Sequence, residues 1–84
     1  MSIDIIKKII LLLGEVKPYE EINEETKLID DKILDSMSVL VFVTLLEDNL
    51  DIEVPDEEIT RDNFANVGTI EELISRLKEK TNGS

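Results

Sequence analysis

Apolar residues recur at helical intervals in three segments of the chain, and polar stretches separate these segments. In the first segment, residues 3–16, two lysines lie opposite a stripe of apolar residues: Ile5, Ile6, Ile9, Ile10, Leu12, Leu13 and Val16. Pro18 disfavours a helical conformation at Lys17, the residue before it. The pattern therefore predicts a first helix over residues 3–16.

Residues 18–34 show neither helical nor strand periodicity, over a length that is unusual for a structureless connection. Five apolar residues within this segment are spaced so that they can hold it onto a core: Ile22, Leu28, Ile29, Ile33 and Leu34. A connection of this length can span a helix in a bundle with one long crossover. We therefore expect a long loop that is pinned across the core.

The second helix is predicted over residues 36–50, with Asp35 as its N-cap. The spacing of three or four predicts a core stripe of Met37, Leu40, Val43, Leu46 and Leu50, and further apolar residues widen it almost all round: Val39, Val41, Phe42 and Leu45. Burial by the other helices accounts for most of these residues. Val41 is the exception, and we expect its apolar side chain to be exposed beside the start of the helix.

The last third of the chain predicts one short helix and one longer helix. Asp51 and Pro55 follow the second helix, and a short helix is expected in one half of residues 55–68, where Thr60 is a candidate cap for residues 61–66. Thr69 and Glu72 have the spacing of a capping box before an apolar face of Ile70, Leu73, Ile74 and Leu77. Without a credible strand, residues 1–84 are expected to form a single domain, a small all-α four-helix bundle of three longer helices and one short one.

The amino-acid composition excludes several classes of function. The chain has no Cys and no His, which removes disulfides, thiolate and histidine-assisted nucleophiles and the usual zinc sites, so we expect no catalytic residues and no metal ligands. The apolar run of residues 5–14 is too short to span a bilayer and is interrupted by lysines. A cytoplasmic monomer that does not insert into membranes is the simplest expectation.

Negative charge is concentrated in the middle of the chain. The formal net charge is -11, and Lys32 and Arg61 bracket 28 residues that contain eight acids and no basic residue. Such a charge repels nucleic acid and favours basic protein surfaces, although acidity alone is also typical of a merely well-solvated domain.

Ser36 follows the predicted N-cap directly. A serine at the start of a helix usually bonds to the backbone, but Asp35 already supplies that cap, which leaves the Ser36 hydroxyl free to project outward. A phosphate ester on this oxygen would lie near unpaired N–H groups at the positive end of the helix dipole, an environment that suits an anion.

The segment "LDSM", followed by an apolar helix and "LLEDNLDIEVPDEEI", resembles the acyl carrier protein superfamily, and the likeness extends from the first helix to "TIEELISRL". The resemblance implies that Ser36 is esterified by 4'-phosphopantetheine, transferred from coenzyme A by a magnesium-dependent phosphopantetheinyl transferase. The arm's thiol would carry an acyl or aminoacyl group as a thioester. The resemblance also implies that Asp35 helps to present the serine and that Met37 lies at the base of the arm.

By the same resemblance, the region around the second and third helices docks onto basic patches of partner enzymes, either an adenylating ligase or an acyltransferase or synthase. The candidate docking residues are Val41, Glu47, Asp48, Asp56 and Glu57. The segments "ILDSM" and "TRDNFANVG" are closer to the D-alanyl carrier proteins than to the fatty-acid type, which usually has Gly at the position of Ile33 and acids at those of Ser38 and Val41.

Three other classes of function compete with a carrier as interpretations of the sequence. An acidic helical adaptor that binds partner proteins through Val41 and holds no cofactor is the main alternative. A calcium sensor is disfavoured because "EDNLDIEVPDEE" lacks the ligand periodicity and central Gly of an EF-hand. A small enzyme is disfavoured because no nucleophile is accompanied by a base.

Overall fold

A computed structural model describes residues 3–83 of the chain, and the side chains of residues 4–79. Within that range the chain forms α1 (Ile3–Val16), α2 (Ser36–Leu50), a 3₁₀ turn (Asp56–Glu58) and α3 (Val67–Gly83), and no strand. The all-α class and the bounds of the first two helices are confirmed. The predicted fourth helix is reduced to a single 3₁₀ turn, and residues 61–66 form turns instead.

The apolar stripe of α1 packs against both other α-helices. Ile9, Leu12 and Leu13 are fully buried, while the outward-facing Leu11 is exposed. The helix ends at Val16, where Pro18 prevents its continuation. This burial orders a segment that is too short to be a stable helix in isolation.

The long connection between α1 and α2 crosses the core as predicted. Leu28, Ile33 and Leu34 are buried, and Ile22 and Ile29 pack against the core while partly exposed. The buried end is fixed by backbone bonds, from Leu34 N to the Leu28 carbonyl and from Leu28 N to the Ala65 carbonyl, both at 2.8 Å. The loop is therefore tied to the segment that precedes α3.

The core side of α2 differs from the predicted stripe. Phe42, Val43 and Leu46 are buried, whereas Met37 is 77% exposed and Leu40 is 55% exposed. The predicted stripe is wrong at these two positions because α2 is apolar nearly all round, so that spacing alone does not fix the side that faces the core. The helix ends at Asp51, which adopts a left-handed conformation with φ 55.

Helix α3 begins at Val67, two residues before Thr69, the first member of the predicted capping box. Asn66 precedes Val67, and its side-chain oxygen accepts a bond from Thr69 N at 2.9 Å. The Thr69 hydroxyl in turn accepts from Asn66 N at 3.1 Å. The prediction that Thr69 is the cap is therefore wrong: Thr69 is the return partner of Asn66. The apolar face of α3 is buried as predicted, at Ile70, Leu73, Ile74 and Leu77.

The core joins α2 to the segment before α3 through two aromatic rings. Phe42 and Phe64 are both fully buried and meet edge to face, with ring centroids 6.3 Å apart. One carboxylate is also buried, that of Glu71, and the Ser75 hydroxyl donates to it at 3.0 Å. No helix within residues 3–83 is long and apolar enough to cross a membrane.

Candidate functional site at the start of α2

The N-terminus of α2 is closed by a reciprocal pair of hydrogen bonds. The Asp35 carboxylate accepts from Ser38 N at 2.9 Å and from Met37 N at 3.2 Å. Asp35 N in turn donates to the Ser38 hydroxyl oxygen at 2.9 Å. The structure thus confirms Asp35 as the N-cap and adds Ser38 as the second member of a capping box.

Ser36 is the first residue of α2 and is exposed to solvent. Among the described residues, none forms a hydrogen bond with the Ser36 hydroxyl. The backbone N–H groups of Met37 and Ser38, which a capping serine would accept from, are bonded to Asp35 instead. The expectation that the hydroxyl is released from capping is therefore confirmed. This hydroxyl is available for chemistry at the positive end of a helix of 15 residues.

The Asp35 carboxylate is held in its charged form. The backbone N–H of Ser38, followed by the Ser38 hydroxyl, keeps the pKa of Asp35 below its usual value of 3.8, and the positive charge of Lys17 acts in the same direction. The residue is exposed, so solvent screens these interactions. Near neutral pH, Ser36 therefore has a carboxylate for a neighbour.

An open cleft of about 270 Å³ lies beside Ser36. Three segments form it: the end of the long loop, the first turns of α2 and residues 59–64. Its lining is more apolar than polar and consists of Ile29, Leu34, Asp35, Ser36, Val39, Ile59, Thr60, Arg61 and Phe64. A group attached at Ser36 would thus have an apolar surface within immediate reach.

An ion pair that sequence patterns did not indicate joins a residue of the cleft lining, Arg61, to the long loop. Arg61 contacts the Asp30 carboxylate, and the two side chains are 71% and 55% exposed. The guanidinium of Arg61 lowers the pKa of Asp30 from 3.8, and Asp30 raises the pKa of Arg61. These residues are 31 positions apart in the chain, so no local sequence pattern could have paired them.

Three apolar side chains on α2 face solvent close to Ser36. Met37, Leu40 and Val41 are 77%, 55% and 52% exposed, and we call them the apolar face. The exposure predicted for Val41 is confirmed, and Leu40 was missed as a surface residue. No charged residue lies between Asp35 and Glu47, so this face has no charge of its own along α2.

The predicted acidic docking residues do not share one environment. Glu47 is half-buried, and its carboxylate accepts a hydrogen bond from Val54 N at 2.9 Å, which anchors the turn after α2. Asp48, Asp56 and Glu57 are exposed. Within the described residues, no group of three or more Asp, Glu, His or Cys side chains is arranged to hold a metal ion.

Comparison with known proteins gives a consistent family, although no protein-family model matches the chain. It is 37% identical over 75 residues to an acyl carrier protein of Wolinella succinogenes, an alignment covering 89% of this chain and 95% of the relative. It is also 35% identical over 74 residues to a D-alanyl carrier protein of Listeria welshimeri, covering 86% and 91% of the two chains.

A solved structure agrees with these relatives in fold. The chain superposes with a TM-score of 0.73 and 27% identity on a chain from the crystal structure of Bradyrhizobium japonicum glycine:[carrier protein] ligase complexed with glycylated carrier protein, covering 83% of this chain and 97% of that one. With relatives above 30% identity over most of both chains, and the fold in common, the chain belongs to the acyl carrier protein superfamily.

Proposed function

We propose that this protein carries acyl or aminoacyl groups as thioesters on a 4'-phosphopantetheine arm attached to Ser36, and that it has no catalytic activity of its own. One observation carries the proposal. The Asp35–Ser38 capping box satisfies the first turn of α2 and leaves the exposed Ser36 hydroxyl without a bonding partner among the described residues. A serine that served as the cap would be unavailable for esterification.

The residues at the site fit such an arm. The Ser36 oxygen is accessible to an enzyme, and displacement at phosphorus of coenzyme A would join it to phosphopantetheine, release adenosine 3',5'-bisphosphate and give up the hydroxyl proton. The resulting phosphodiester would sit at the positive end of α2, where an anion is stabilised by roughly 0.3–1 kcal/mol. When attached, the arm supplies the thiol that this Cys-free chain lacks.

The chain's own residues also provide a surface for the cargo. The apolar part of the lining of the cleft beside Ser36 includes Ile29, Val39, Ile59 and Phe64. An apolar group folded back from Ser36 would lose contact with water there, a gain of about 25 cal/mol per Å² of apolar area.

The partner that we propose is an adenylating ligase. The matched solved structure is a complex of a glycine:[carrier protein] ligase with a glycylated carrier protein, and one relative is named a D-alanyl carrier protein. Both point to aminoacyl cargo, which such a ligase activates. The apolar face of Met37, Leu40 and Val41 lies beside Ser36 and would dock the partner there.

Exposed acids further along the chain would guide the encounter. Asp48, Asp56 and Glu57 lie in the exposed, acid-rich part of the surface, and a net charge of -11 favours partners with basic surfaces. We assign Glu47 a mainly structural role, because its carboxylate is half-buried and bonded to Val54 N. The same exposed acids would guide the phosphopantetheinyl transferase to Ser36.

The experiment is modification of the purified apo-protein with coenzyme A, magnesium and a broad-specificity phosphopantetheinyl transferase, followed by intact mass measurement. Wild type is expected to gain one phosphopantetheine, and Ser36→Ala is expected to gain none. Ser38→Ala is the matched control: it removes a neighbouring hydroxyl that is engaged in capping, and it should still be modified. A wild-type protein that gains no mass would disprove the proposal and leave the cofactor-free adaptor.

A further inference from the structure

Two sets of contacts hold the segments that form the walls of the cleft beside Ser36. At the buried end, the 2.8 Å bond from Leu28 N to the Ala65 carbonyl joins the long loop to the segment before α3. On the far side, Arg76 of α3 holds that segment through Glu58 at 3.5 Å and Asn63 at 3.2 Å. None of the residues that make these contacts lines the cleft.

One side-chain ion pair joins two of the segments that form the walls of the cleft. Ile29 lines the loop side and Arg61 lines the opposite side, and Arg61 reaches over to the Asp30 carboxylate. Both side chains are more than half exposed. Exposed ion pairs contribute little to stability, so this contact can open at small cost while the backbone bond from Leu28 N to the Ala65 carbonyl remains.

We propose that the Arg61–Asp30 pair is a latch across the cleft and that, when closed, it restricts the cleft to short acyl or aminoacyl groups. The inference rests on the proposed function, since cargo reaches the cleft from Ser36. With the pair formed, the cleft volume of about 270 Å³ is below the roughly 300–1,000 Å³ of most small-molecule pockets, which suits a short group. A longer apolar chain requires Arg61 to leave Asp30.

The latch can be tested without phosphopantetheine, because the chain contains no Cys and one engineered thiol is therefore unique. In Ser36→Cys protein, the thiolate attacks dihexyl or diethyl disulfide, forms a mixed disulfide and releases the corresponding alkyl thiol. At equilibrium in an equimolar mixture with a trace of free thiols, intact mass gives the ratio of hexyl to ethyl adduct. Tyr19→Cys supplies the reference ratio, since Tyr19 is 99% exposed and does not line the cleft.

With the latch intact, the hexyl-to-ethyl ratio at position 36 should be close to the ratio at position 19. Breaking the pair with Arg61→Gln or with Asp30→Asn should raise the ratio at position 36 about two- to five-fold, the range expected for release of an exposed ion pair. Asp30→Asn is the sharper variant, because Asp30 does not line the cleft and its removal changes the pairing rather than the bulk of the wall.

Two controls separate the latch from general effects of charge or stability. Arg76→Gln removes another exposed cation that holds the same segment, yet it should leave the ratio unchanged. Reversal of the pair with Asp30→Arg and Arg61→Asp together should return the ratio to that of the Ser36→Cys parent.

An unchanged ratio in Asp30→Asn, or an equal rise in Arg76→Gln, would overturn the latch. Either result leaves the proposed carrier function untouched, because modification of the wild-type serine is measured separately. Conversely, failure of that modification would not alter the adduct ratios, which report the cleft alone.

Discussion

The starts of α2 and α3 are built by the same device and used for different purposes. Each helix is preceded by an Asx residue, Asp35 or Asn66, whose side chain accepts from a backbone N–H three residues on. In each, the hydroxyl of that third residue returns a contact to the cap. The two helices differ in the burial of their first residue: Ser36 of α2 is exposed, whereas Val67 of α3 is fully buried.

This difference shows that, in a complete capping box, the side chain of the first helical residue is not needed to cap the backbone N–H groups. In α3 that freedom is used for packing, because Val67 joins the core. In α2 it leaves a hydroxyl in solvent beside an apolar cleft. The same contrast holds along the two helices: α3 buries its apolar stripe, whereas α2 exposes Met37, Leu40 and Val41.

The largest expected effect is the difference in stability between substitutions at the first residue of α3, Val67, and at the first residue of α2, Ser36. Val67→Ala removes two buried methyl groups and should lower the free energy of unfolding by about 1.5–3 kcal/mol. Ser36→Ala should change it by less than about 0.5 kcal/mol, since the hydroxyl contacts little. Urea denaturation monitored by circular dichroism measures both. A large loss of stability in Ser36→Ala would mean that the serine has a structural role.

The two caps should be next in magnitude. Asp35→Ala and Asn66→Ala each remove a side-chain acceptor from a first turn, at a cost of about 0.5–2 kcal/mol. Asn66→Ala should cost more, because it removes the acceptor of the partly buried Thr69 N–H, whereas the exposed N–H groups that Asp35 caps can bond to water instead. The same urea series compares them, and a greater loss in Asp35→Ala would contradict this ranking.

A smaller expected effect is a pH dependence of stability at one cap and not at the other, because Asp35 can be protonated and Asn66 cannot. Its folded-state pKa lies below 3.8, so its charge contributes stability above that pH, and the contribution is lost as the pH falls through the folded value. Asp35→Asn keeps an acceptor without the charge. The difference in urea midpoint between wild type and Asp35→Asn should therefore shrink between about pH 5 and about pH 2. A constant difference would assign no role to the charge.

Local rules explain which parts of the molecule could be predicted from sequence. The bounds of α1 and α2 and the cap at Asp35 follow from spacing, from Pro18 and from a single Asx residue at the right place. The start of α3 was misplaced because Asn66–Thr69 and Thr69–Glu72 both fit a capping pattern, and only the buried position of Val67 decides between them.

Contacts between distant segments could not be predicted. The face of α2 that meets the core depends on where Phe64 and the loop lie, so the exposure of Met37 and Leu40 was not visible in a helix that is apolar nearly all round. The cleft and the Arg61–Asp30 pair likewise join parts of the chain that only the fold brings together.

The most direct test of the central claim is to map the modified residue by tandem mass spectrometry after treatment with coenzyme A and the transferase. Ser36 and Ser38 are two residues apart, yet only Ser36 has a hydroxyl outside the capping box. The phosphopantetheine is expected on Ser36 alone. Its presence on Ser38 or another serine instead, or its absence from every serine, would contradict the account.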